Sequence, residues 1–348
     1  SLINCFSLLM FILSLILGTM ITVSSQHWLL AWIGLEINTL ALIPIMAKNP
    51  HPRAIEAATK YFLTQATAST LMLFSALVNA WHTGEWATSL LSNFTSTTLT
   101  IALMTKLGTA PMHFWLPEVL QGIPLSSGLI LSTWQKIAPM TLLLQISDLI
   151  DLKLLFSLGL MSILIGGWGG INQTQLRKIM AFSSIGHLGW MLIVLKLNPQ
   201  LTLFNFILYL VMTLAMFLSL LMTNSTKIID ASTICIKIPA LTPVIMLVLL
   251  SLAGLPPLTG FAPKLLITLE LVKQNAILLA SLTMLISLLA LFFYLRLSYI
   301  ITLTMFPNNS NSTPAWYFLP KVNSLTTPLN TLALFIFPLS PSLAVLCN

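Results

Sequence analysis

The sequence predicts an all-α integral membrane protein of eleven transmembrane helices, and three observations carry that expectation. Of 348 residues, 57% are hydrophobic and 7% charged, against roughly 25% charged in soluble domains, and the mean hydropathy is +0.96. The apolar residues gather into runs of about 20, the length that crosses a hydrocarbon core. Between the runs lie short segments of turn residues such as KNPHPR (48–53), TNSTK (223–227) and FPNNSNSTP (306–314). No stretch accommodates a soluble domain, so 1–348 reads as one transmembrane domain.

Cutting the chain at those turn segments gives spans at about 2–22, 26–46, 59–80, 93–118, 124–146, 153–171, 178–195, 200–222, 240–271, 275–301 and 324–345. The first has no basic segment ahead of it and no convincing cleavage site, so it reads as a span rather than a signal peptide. Two spans contain an unexpected break. Residues 108–118 read GTAPMHFWLPE and residues 254–264 read GLPPLTGFAPK. Proline removes a backbone donor and glycine loosens a helix, so each run leaves backbone groups uncompensated in lipid unless it lines a cavity.

The two runs align at a constant offset of 146, with Gly108, Pro111, Pro117 and Glu118 on Gly254, Pro257, Pro263 and Lys264, and Trp115 on Phe261. The same shift carries spans two to five onto seven to ten. Five spans per unit is an odd number, so a second copy is inverted in the membrane, giving repeat halves at 26–171 and 175–345. Inverted repeats with broken helices are a transporter signature. Coincidence is the competing explanation, since glycine and proline are common in membrane helices.

Charge distribution sets the expected orientation. The N-terminal side collects Lys48, Arg53, Lys60, Arg177, Lys178, Lys227, Lys237, Arg296 and Lys321, and the other side Lys153, Lys196 and Lys273. The positive-inside rule assigns the richer side to the negative compartment, cytoplasm or matrix, and an odd number of spans then places the C-terminus opposite. The net charge of +7, from 15 Lys+Arg and 8 Asp+Glu, is spread over loops rather than clustered among aromatics, so no nucleic-acid partner is expected.

Three ionisable residues stand inside otherwise uncharged spans: Glu36, Lys106 and Lys136; Lys264 follows the second break. Each would cost about 2.5–3.5 kcal/mol facing lipid, so an internal, hydrated or ion-paired axis is expected. Snorkelling to the interface is the alternative for lysines near span ends. Glu36 and Lys106 are expected to form a switchable ion pair across spans two and four. Carboxylates and ammonium groups can both hold and release protons, so a row of them bridged by water suits proton transfer. His187 reads either as a relay or water-binding group, or as a hydrogen-bonded packing histidine.

Metal and redox chemistry fit poorly. Cys5, Cys235 and Cys347 lie far apart and form no CxxC set. The five histidines are scattered, with His27, His51 and His82 at loops or span edges and His113 and His187 within spans; a bis-histidine haem protein needs facing pairs. No GxGxxG follows a strand.

The runs WIGLEINTLALIP, KYFLTQATAS, KLGTAPMHFWLPEVLQGIPLSSG, NQTQLRKIMAFSSIGHLGWM and LAGLPPLTGFAPK resemble the vertebrate-type chain 2 family of mitochondrial NADH:ubiquinone oxidoreductase, respiratory complex I. The resemblance extends over essentially the whole chain. It implies an antiporter-like proton channel module in the mitochondrial inner membrane, with eleven spans where bacterial relatives have fourteen. It further implies that Glu36 is the buried glutamate of the first half-channel, Lys106 its partner, Lys136 the central lysine and Lys264 the exit-side lysine. NADH, FMN, iron–sulfur clusters and ubiquinone are then bound by other subunits, and the partners are neighbouring antiporter-like chains, other membrane subunits, accessory subunits and lipids. A self-standing cation/proton antiporter is the alternative function.

Overall fold

The computed structural model describes residues 5–48, 51–88, 90–233, 241–304 and 325–339. Among these every element is helical, and β pairing is limited to isolated bridges at His27↔Ala87 and Gln175↔Lys227. The chain divides into two compact units, Ser1–Met161 and Ser162–Asn348. The first contains α1 (Cys5–Ser24), α2 (Trp28–Met46), α3 (Pro52–Thr83), α4 (Asn93–Leu107), α5 (Trp115–Gly122), α6 (Leu125–Ser132) and α7 (Trp134–Gln145). Helix α8 (Leu152–Ile171) begins in the first unit and ends in the second. The second contains α9 (Leu176–Val194), α10 (Pro199–Thr223), α11 (Ile228–Ser232), α12 (Leu241–Ala253), α13 (Phe261–Lys273), α14 (Ile277–Leu303) and α15 (Thr326–Phe335).

Six helices among the described residues, α1, α2, α3, α8, α10 and α14, are long and apolar enough to cross a membrane. The sequence-predicted segments 93–118 and 240–271 are each divided at their glycine- and proline-rich runs, as α4/α5 and α12/α13. Segment 124–146 is also divided, as α6/α7, which the sequence reading did not anticipate. Span 324–345 is described only through residue 339, and Lys237, Lys321, Cys235, Cys347 and the FPNNSNSTP segment lie outside the described residues.

Local chemistry sets the helix ends. Nδ1 of His27 accepts from the Leu29 amide at 3.3 Å and Nδ1 of His51 from the Arg53 amide at 3.2 Å, so these loop histidines cap α2 and α3 by filling orphan donors. Asn198 caps α10 through the Leu201 amide at 3.1 Å, and proline opens α3 and α10 where its missing N–H is harmless. Before α11, the Lys227 amide (2.9 Å) and the Thr226 amide and hydroxyl (both 3.1 Å) all donate to Asp230 Oδ2. These donors, the Lys227 amide foremost, hold the half-buried Asp230 carboxyl below the usual carboxylate range.

Within the helices, hydroxyls are satisfied by their own backbone. Thr22, Ser75, Thr213, Ser219, Ser251 and Thr283 each donate to the carbonyl three or four residues back, which lets polar residues sit in hydrocarbon without an unpaired group. The large apolar side chains left exposed, among them Leu17, Phe74, Trp168 and Leu285, form the surface that lipid or membrane partners cover.

Candidate functional site

The two breaks have the same construction. Helix α4 ends at Gly108, with φ +78°, and α12 at Gly254, with φ +80°. Both positions are in the left-handed region that glycine enters without penalty. The amide of Gly108 donates to Thr105 O at 3.2 Å and that of Thr109 to Met104 O at 3.1 Å. At the second break Gly254 donates to Ser251 O at 3.0 Å and Leu255 to Leu250 O at 3.3 Å, so each bond recurs 146 residues later. Both breaks also carry a cis peptide, at Ala110–Pro111 and Pro256–Pro257.

The exposed helix-end carbonyls meet different partners. At the first break the Trp115 indole donates to Thr105 O at 3.1 Å. At the second, Lys264 Nζ donates to Ala253 O at 2.6 Å. Glycine is required at 254 by the turn, and a Cβ there would stand 2.8 Å from that Nζ and displace the lysine end from its present position. The break therefore supplies an acceptor for an ammonium group that lipid cannot solvate. Glu118, the aligned counterpart of Lys264, instead bonds Lys60 at 2.7 Å, and Lys60 also pairs with Glu56 at 2.7 Å.

In the first unit, Glu36, Lys106 and Lys136 come together. Lys106 is the penultimate residue of α4 and is 7% exposed. Its Nζ lies 4.0 Å from Oε1 of Glu36 on α2. That separation permits Coulomb attraction but exceeds hydrogen-bond length, and neither atom has another hydrogen-bond partner among the described residues. The other carboxylate oxygen, Oε2, accepts from the Thr39 hydroxyl at 3.3 Å. Beside the pair is a cavity of about 20 Å³ for water centres, lined by Thr39, Tyr61, Gln65, Lys106, Gln135 and Lys136 among others. This is room for one water. Lys136 is 2% exposed and follows the α6/α7 interruption at Thr133, where φ is −114° and ψ −70°. Pro139, inside α7, has no N–H for the Gln135 carbonyl, which adds a polar backbone group beside Lys136.

The second unit brings His187 and Lys264 together. Both line a cavity of about 20 Å³ with Ser183 and Tyr294, and a second of about 10 Å³ with Asn205 and Tyr209. His187, on α9, packs its ring 5.7 Å from that of Tyr209 at an interplanar angle of 45°. Sequence reasoning fixed on charges and so missed the uncharged lining: Thr39, Tyr61, Gln65, Asn205 and Tyr209. Polar residues in the middle of apolar helical runs were the available signal.

Gly260 holds the second break closed. An ideal Cβ there would be 1.7 Å from the Ser251 carbonyl oxygen, a backbone atom with no freedom to yield. Gly260→Ala is expected to destabilise the fold by about 1–3 kcal/mol or more. The thermal stability and amount of the protein in its membrane assembly measure this, and wild-type values for both would contradict it.

Comparison with known proteins shows the family and the overall fold. The family described as NADH:quinone oxidoreductase/Mrp antiporter, TM matches residues 25–290, and that described as NADH dehydrogenase subunit 2 C-terminus matches 291–344. NADH-ubiquinone oxidoreductase chain 2 of Aquarana catesbeiana is 65% identical over 343 residues, 99% of this chain and 100% of the relative. The same-named chain of Xenopus laevis is 58% identical over 92% of this chain and 94% of its own. Among solved structures, a chain of respiratory complex I from Thermus thermophilus superposes with TM-score 0.82 at 27% identity, over 97% of this chain and 81% of that one. A chain of the Mrp complex from Dietzia sp. shares the fold, with TM-score 0.75 at 18% identity over 86% and 60%. The chain belongs to the NADH-ubiquinone oxidoreductase chain 2 family, within the NADH:quinone oxidoreductase/Mrp antiporter group.

Proposed function

We propose that this chain is a proton-translocating, antiporter-like subunit in the membrane arm of NADH:ubiquinone oxidoreductase, respiratory complex I. Quinone reduction elsewhere in the complex drives proton transfer through Glu36, Lys106, Lys136, His187 and Lys264, of which Lys106 and Lys136 are buried and the others half-buried. The carrying observation is the Glu36–Lys106 pair: a buried ammonium and a half-buried carboxylate 4.0 Å apart, without a direct hydrogen bond, beside a water-sized cavity that Lys106 and Lys136 line. At that separation the pair lacks the charge-assisted hydrogen bond that a closed ion pair makes. A pair that must open to pass a proton benefits from a gap that water can bridge. Lys136→Met in the assembled complex is expected to lower NADH-driven proton uptake into proteoliposomes by about tenfold or more, since a positioned proton-transfer group typically contributes about 10²–10⁴-fold to its step; wild-type uptake per assembled complex would overturn its role.

NADH, FMN, iron–sulfur clusters and ubiquinone are handled by other subunits in this reading, and the partners are neighbouring antiporter-like chains, other membrane subunits and accessory subunits. The self-standing antiporter is not favoured, because the near-full-length relatives at 58–65% identity are named as complex I chains. The matched break geometry at offset 146 supports two repeat halves; in this reading the second is inverted and the chain makes eleven spans, with 93–118 and 240–271 broken at their glycine- and proline-rich runs and 124–146 interrupted at Thr133. The protein resides in the mitochondrial inner membrane, with the Lys48–Lys60 segment and N-terminus toward the matrix and the C-terminus toward the intermembrane space. Trypsin is expected to cut at Arg53 in matrix-side-out vesicles and not in mitoplasts; the reverse pattern would invert the topology.

A further inference from the structure

The second unit contains a buried polar side chain to which neither charge nor packing assigns a role. Asn205, on α10, is 3% exposed, and neither its Nδ2 nor its Oδ1 has a hydrogen-bond partner among the described residues. Its neighbours behave differently. Thr202 and Thr213 on the same helix return their hydroxyls to backbone carbonyls. Buried Asn79 uses both ends of its amide, donating to Leu90 O at 2.8 Å and accepting from the Ser92 amide and Thr95 hydroxyl. Leaving both ends of a buried amide unmade is unfavourable, so Asn205 calls for a partner beyond the described side chains, and the adjoining cavity is where one fits. It lines the cavity of about 10 Å³ that also borders His187, Tyr209 and Lys264, and both His187 and Lys264 continue into the adjoining cavity of about 20 Å³. Together these spaces suit one or two waters with polar groups on several sides.

We propose that Asn205 is a positioning residue of the second unit, whose amide anchors the water through which Lys264 and His187 exchange a proton. This rests on the proton-carrying role of Lys264 proposed above. An Asn205 N–H donates to the water oxygen and fixes its place, and Oδ1 is free to accept an O–H. The Lys264 ammonium then gives a proton to the water oxygen as one of the water's own protons passes to a ring nitrogen of His187. Lysine is left neutral, imidazole becomes charged, and the water is regenerated. Asn205 itself neither gains nor loses a proton. Leucine has the same branched outline, is bulkier and has no amide, so it removes the hydrogen-bonding groups without opening a hole, while serine controls for its extra bulk. Serine keeps a donor and acceptor and leaves room for a further water.

The test uses assembled complex I carrying Asn205→Leu, Asn205→Ser or Lys264→Met, with proton pumping in proteoliposomes and a map that resolves waters. The wild-type map is expected to show a water within about 3.2 Å of the Asn205 amide, absent in Asn205→Leu. Pumping per assembled Asn205→Leu complex should fall about tenfold, and Asn205→Ser should retain at least about half. A dry amide bonded only to protein groups in the wild-type map, or wild-type pumping by Asn205→Leu beside an impaired Lys264→Met, overturns the assignment of Asn205 alone. Wild-type pumping by Lys264→Met overturns the proton-carrying reading of Lys264 and the relay with it. If Asn205→Leu fails to assemble, the wild-type map and the serine variant decide.

Discussion

Replacing Glu36 with glutamine is expected to leave the complex assembled and to cut NADH-driven proton pumping about tenfold or more. Glutamine keeps the shape and the carbonyl oxygen that accepts from Thr39, whose hydroxyl lies 3.3 Å from Glu36 Oε2. What it removes is the charge facing Lys106 and the capacity to take a proton when that pair opens. A static pair makes a different prediction. Breaking one side of a buried ion pair costs about 3–5 kcal/mol, because the remaining charge is uncompensated, so assembled complex and total activity would then decline together. The ratio of pumping to assembled complex separates the cases: a lowered ratio supports the switching pair, and an unchanged ratio with depleted complex contradicts it.

Lys264→Met has the second large expected effect, again a fall in pumping of about tenfold at retained assembly. The variant deletes the donor to Ala253 O, and an unpaired buried carbonyl by itself costs about 1–3 kcal/mol. Lys264→Arg isolates the chemistry from that structural term. Arginine still offers donors to the helix-end carbonyl, yet its guanidinium does not release a proton at working pH. If Lys264 serves only to cap α12, arginine restores function; if it carries protons, arginine stabilises the break and pumping stays low. Wild-type pumping by Lys264→Arg would reduce the residue to a cap.

Much of this architecture is legible in the sequence, because membrane solvent penalises the features that mark it. Glu36, Lys106 and Lys136 stand out since charge in an apolar run demands a reason. The breaks stand out since Gly108, Gly254 and the prolines after them cannot continue a helix in lipid. The Thr133 interruption is not legible, as it falls between residues without a helix-breaking signature and Pro139 follows only six residues later. Lys60 and Glu118 are counted from sequence as an orienting charge and as the counterpart of Lys264; folding makes them an ion pair at 2.7 Å, a contact between residues 58 positions apart that only tertiary structure creates. The uncharged lining residues escape for a related reason. Thr, Asn and Gln are common in these helices, and most hydroxyls bond their own backbone, so only the cavities distinguish Thr39, Gln65 and Asn205 from the rest.

The gap between Glu36 and Lys106 tests the proton-transfer account most directly, through maps of the whole complex at rest and during turnover at a resolution that shows waters. The account predicts a carboxylate and ammonium close to the 4.0 Å seen here in one state, wider in another, with an ordered water in the cavity shared by Lys106 and Lys136. A pair that keeps one dry geometry in every state, or stands more than about 8 Å apart throughout with no bridging water, where solvent-screened charges interact weakly, would contradict it.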